Sequence, residues 1–76
     1  MDELLELAMR WEASADRLRR RAGVVRWAAT PDWQGPGADR CREELVARWA
    51  ALVELARQHD GVAHRLRGLA AWVETS

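Results

Sequence analysis

The sequence predicts an all-α protein, an antiparallel two-helix hairpin that dimerises into a four-helix bundle. Three observations predict it. Apolar residues recur every seven positions along two long stretches. Both prolines and two of the five glycines gather in the eight residues from Thr30 to Gly37 between those stretches. A chain of 76 residues leaves one hairpin too small to cover its own bulky side chains, and oligomerisation is the remaining way to gain a core.

The first helix is expected over about 2–29. It holds no Pro and only Gly23, and Ala, Leu, Arg and Glu dominate, which is helix-favouring chemistry. Leu4, Trp11, Leu18 and Val25 form a bulky row, and Ala8, Ala15, Ala22 and Ala29 form a small one four positions on, so both lie on one broad face. Asp2, Glu3 and Glu6 stand at the start and Arg17, Arg19, Arg20, Arg21 and Arg26 toward the end, the polarity that complements a helix dipole.

The turn is expected over about 30–36. A hairpin end needs an apolar plug, and Trp33 offers the largest one, with an indole N–H that can reach a loop carbonyl. Gly35 lets the backbone turn where a side chain would obstruct it. Pro36 suits the first position of the next helix, where its missing N–H would have no partner in any case.

The second helix is expected over about 37–73, about 54 Å at the usual rise. Leu45, Leu52, His59, Leu66 and Val73 form one sevenfold row, and Cys41, Arg48, Leu55, Val62 and Leu69 a second. Trp49, Ala56, Ala63 and Ala70 form a third beside them. Gly61 and Gly68 interrupt good helix formers, permitting either a slight bend or close approach by a neighbour. The short connection folds the helices back antiparallel. The two Ala rows then make a seam inside the hairpin and the bulky rows stay partly wet until a second hairpin covers them. The candidate protein-interaction residues are therefore Trp11, Leu18, Val25, Leu45, Trp49, Leu52, Leu66 and Trp72, with Trp33 and Gly35 at the turn.

Twelve Arg balance twelve acidic residues, which argues against a chain built to coat nucleic acid or an acidic membrane. Lys, Ile, Asn, Phe and Tyr are absent, as a high-GC bacterial genome would leave them, whereas five Trp are an excess that this bias does not explain. Arg17, Arg19, Arg20 and Arg21 lie within a turn of Glu12 and Asp16 and are expected to form a solvated, ion-paired face. Arg48 interrupts an apolar row and is read either as snorkelling to the edge or as meeting a carboxylate on a partner. The single cysteine, Cys41, excludes an intrachain disulfide and is expected as a small buried hydrophobe. His59 is read as a satisfied interior histidine, and His64, five residues on, is not at the spacing of a helical metal pair. No catalytic, cofactor or metal residue is assigned. The longest apolar run, Trp49 to Val53, is far short of the roughly 18 residues of a span, so a soluble chain without a Sec-type signal is expected.

Trp33-Gln34-Gly35 opening a long Ala/Leu-periodic helix, with Gly37-Ala38-Asp39 following and Trp49 further on, resembles the WXG family of small type VII secretion substrates, the early-secreted-antigen-like hairpins. The likeness covers essentially the whole sequence. It implies an antiparallel four-helix dimer with a sibling hairpin, with the N-terminal domain of a larger effector, or with itself. It also implies recognition by a membrane ATPase, and a cytoplasmic protein before export to the cell surface or beyond. The chain is shorter than typical members. With no Tyr it lacks the family's C-terminal Tyr-x-x-x-Asp/Glu export signal, which a partner would then supply. Two further classes are weighed beside this one. A cytosolic homodimeric interaction protein, antitoxin-like or structural, fits the same hairpin, whereas a chorismate-mutase-like bundle would need the Lys that this sequence lacks.

Overall fold

The structure, a computed structural model, describes residues 2–30, 32 and 34–75. Helix α1 runs Asp2–Ala28 and helix α2 runs Pro36–Thr75, and among the described residues there is no strand. The two helices pack along their lengths into a rod of 62 × 13 × 11 Å. Two of the residues expected in the turn, Pro31 and Trp33, lie outside the described residues.

Local chemistry sets the helix ends. The N–H groups of Ala29 and Thr30 donate to the carbonyls of Arg26 and Trp27 at 3.1 and 3.0 Å, and the Thr30 hydroxyl donates to the same Trp27 carbonyl at 2.6 Å. These bonds satisfy carbonyls that the end of α1 would otherwise leave open. Gly35 adopts φ +101°, a conformation that side chains resist, and its carbonyl accepts the first helical bond of α2, from the Asp39 N–H at 3.1 Å. Pro36 then takes the first helical position, where no donor is required of it. At the far end α2 continues past Val73 to Thr75, whose hydroxyl donates to the Trp72 carbonyl at 3.0 Å.

The hairpin is held by a seam of small side chains. Ala8, Ala15 and Ala22 lie against the row of Ala56, Ala63 and Ala70, with Ala29 where the row ends, and among the described residues these seven are the buried hydrophobic ones; no large side chain there is fully buried. Methyl-sized contacts let two backbones approach more closely than Leu would permit. Gly61 and Gly68 are not part of this approach, since a Cβ on either would meet nothing within 4 Å.

Ala rows repeating every seven residues would mate equally well one repeat up or down, and charge removes the choice. Glu12 pairs with Arg67, and Arg19 with Asp60, a step of seven forward on α1 and seven back on α2. Sliding α2 by one repeat would set Glu12 against Glu74 and Arg19 against Arg67, or in the other direction Glu12 against Asp60. The observed register leaves the helices unequal at the turn end. Ala28 comes level with about residue 50, so the first four turns of α2, roughly 20 Å, extend beyond α1. Cys41 lies in this extension and is exposed, not the buried hydrophobe that its row suggested, because no α1 residue lies opposite it.

Candidate interaction face

The seam divides the hairpin into two unlike sides. On one side run the cross-helix polar pairs. Arg67 donates to both Glu12 oxygens, from Nε at 3.2 Å and from Nη2 at 2.5 Å, the forked geometry that carboxylates favour. This arrangement lowers the Glu12 carboxyl below its ordinary value of 4.5, chiefly through the Arg67 hydrogen bond, and raises the Arg67 guanidinium in return. Arg19 bridges Asp60 across the seam and Asp16 on its own helix, the latter at 3.1 Å. Seven residues on, the Arg26 guanidinium lies 5.5 Å from the centre of the Trp49 ring, a cation–π contact where the Ala seam ends. Glu12, Arg19 and Arg26 form a sevenfold row of their own, as do Asp60 and Arg67; this polar row beside the Ala row is the signal from which these contacts could have been read in the sequence.

The other side carries the bulky rows. Leu4, Trp11, Leu18 and Val25 of α1 and Leu45, Leu52, His59 and Leu66 of α2 are all half-buried. The His59 ring meets the Trp11 ring edge-on, with centroids 4.8 Å apart at 80°, and its Nδ1 is 2.9 Å from the Ser14 hydroxyl. About the middle of the rod the face opens into a groove of about 1010 Å³. Leu18, Val24, Val25, Ala51 and Leu52 form its apolar part, and Ser14, Arg17, Arg20, Arg21 and Arg48 its polar part. No carboxylate lines it.

The structure brings Leu18, Val25 and Leu52 together in this groove and sets Trp11 and Leu66 further along the same face. Leu45 lies on the same row in the α2 extension. Trp49 sits at the end of the seam under Arg26, Gly35 is the residue before α2, and Trp72 is 66% exposed on the outer surface of α2, away from the groove. Trp33 lies outside the described residues. The ion-paired face expected of Arg17, Arg19, Arg20 and Arg21 forms in part, through Arg19 and Asp16. Glu12 and Asp16 are taken up by Arg67 and Arg19, and among the described residues Arg17, Arg20, Arg21 and Arg48 make no ion pair. Among the described residues no group of three His, Cys, Asp or Glu side chains could hold a metal ion, and no helix is long and apolar enough to cross a membrane. Comparison with known protein families, with curated proteins and with solved structures finds no match to this chain.

Proposed function

We propose that this chain is a non-catalytic pairing hairpin, which completes a four-helix bundle with a second helical hairpin, and that it serves type VII secretion by folding with a sibling hairpin or an effector's N-terminal domain. The observation that carries the pairing is the composition of the core. Among the described residues the buried hydrophobic ones are seven alanines, and no large side chain there is fully buried. The chain exposes 5813 Å², against about 4,700 Å² for a compact chain of this size. The excess of about 1,100 Å² exceeds the roughly 800 Å² that each partner contributes to a stable interface.

The secretion reading rests on the resemblance carried by Trp33-Gln34-Gly35, with Gly35 immediately before the first turn of α2. These 76 residues hold no Tyr, so in this reading a Tyr-based export signal lies outside them and the hairpin contributes fold and surface. The same absence favours the second reading, a cytosolic pairing hairpin that is never exported. Co-expression with the adjacent open reading frames, followed by mass measurement of what co-purifies, tests both. A second hairpin or an effector recovered in stoichiometric complex supports the proposal, and a toxin under shared control supports the alternative.

A further inference from the structure

We infer that the groove in the middle of the bulky face receives an amphipathic helix whose apolar stripe is flanked by carboxylates and which belongs to a chain different from this one; the inference rests on the pairing function proposed above. The groove has an apolar floor at Leu18, Val25 and Leu52, with Arg17, Arg20, Arg21 and Arg48 around it and no acid among its lining residues. Of the carboxylates around it, Glu12 is paired with Arg67 and Asp16 and Asp60 with Arg19 on the polar side of the seam. Occupation by an uncharged stripe would strip water from guanidinium groups without replacing it, so the rim selects a partner that brings acceptors.

A second copy is the natural rival, and the position of the groove along the rod disfavours it. The middle of α2 falls at residues 55–56, and the pairing of Arg19 with Asp60 places about residue 23 of α1 beside it. Arg20 and Arg21 are then about 5 Å from the middle of the rod along its axis, Arg17 about 10 Å and Arg48 about 11 Å. Any fully overlapping two-fold dimer on this face, parallel or antiparallel, sets this cluster against its own copy within about one Debye length. Sliding the copies until Glu3 and Glu6 reach Arg48 still leaves Arg17, Arg20 and Arg21 at the two-fold axis. A long helix is favoured over a lipid surface because the apolar face continues beyond the groove, from Leu4 to Val25 on α1 and from Leu45 to Leu66 on α2, the shape of a helix track.

The test uses the full chain and three synthetic amphipathic helices that share one Leu stripe, flanked by Glu, by Gln or by Arg. Binding is read by anisotropy at low and high salt. The expected result is about tenfold tighter binding of the Glu-flanked helix than of the Gln-flanked one at low salt, an advantage that fades at high salt. The Arg17→Glu/Arg21→Glu/Arg48→Glu variant, confirmed helical by circular dichroism, should invert the preference toward the Arg-flanked helix. The single exposed variant Arg48→Gln, which does not depend on the triple variant folding, should lose part of the advantage. Equal binding of the Glu- and Gln-flanked helices overturns the inference and leaves the pairing function standing, whereas a folded monomer that binds none of the three overturns both. A tight homodimer insensitive to the triple charge reversal overturns the inference, as does binding to phosphatidylglycerol vesicles that needs the same arginines without any Glu-over-Gln preference.

Discussion

Gly35 and Gly68 show how differently one residue type acts at two places. Gly35 holds φ +101°, so Gly35→Ala should lower stability by about 1 kcal/mol even though its Cβ would meet nothing within 4 Å. Gly68 sits inside α2 with open space around it, and Gly68→Ala should raise stability by about 0.5–1 kcal/mol; urea denaturation of both variants checks the opposite signs. Glu12 gives a pH signature. Its carboxyl is lowered by the Arg67 hydrogen bond, so the stabilisation is fully present above pH 4.5 and is lost as pH falls through the lower folded value. Glu12→Gln should therefore flatten the acid limb of a melting-temperature profile below about pH 5. A profile as steep as that of the unaltered chain would show that the pair contributes nothing. For Trp33 the secretion reading expects Trp33→Ala to keep the complex assembled, with a stability loss below the roughly 3–5 kcal/mol of a fully buried aromatic, while abolishing export from the native host. Normal secretion of an intact complex would remove that role.

At the scale of elements the helices and their seam were legible in the sequence, because alanine at every seventh position on both strands of a hairpin leaves few alternatives for the contact line. Their register was not legible from those rows, which mate equally well one repeat apart. The charged row beside them, Glu12 and Arg19 against Arg67 and Asp60, settles the register; Asp16 keeps its local partner Arg19, but Glu12 reaches across the seam and not to a neighbouring arginine. The extension of α2 and the exposure of Cys41 follow from that register. Two substitutions test the seam. Ala15→Leu places a large side chain on a fully buried contact and should cost at least about 1–3 kcal/mol, whereas Ala13→Leu, on the exposed side of α1, should stay within about 0.5 kcal/mol of the parent. Equal tolerance at both positions in urea titrations would mean that the helices do not meet along the Ala rows.

At the scale of the whole molecule the described residues form a rod with a seam of alanines and two unlike sides, and the proposal of further helices rests on that shape. Periodicity alone pointed to the same proposal, since the bulky rows lie to one side of the alanines; the excess of arginines around the groove became legible only once the ion pairs placed Glu12, Asp16 and Asp60 on the other side. The most direct test is the mass of the folded species, read by light scattering with circular dichroism on the purified chain, alone and co-expressed with its genomic neighbours, at micromolar concentration. The account predicts cooperative helical unfolding only in assemblies that hold at least four helices, with the isolated chain losing helicity on dilution. A monomer of 76 residues that melts cooperatively, unchanged by dilution, would contradict it.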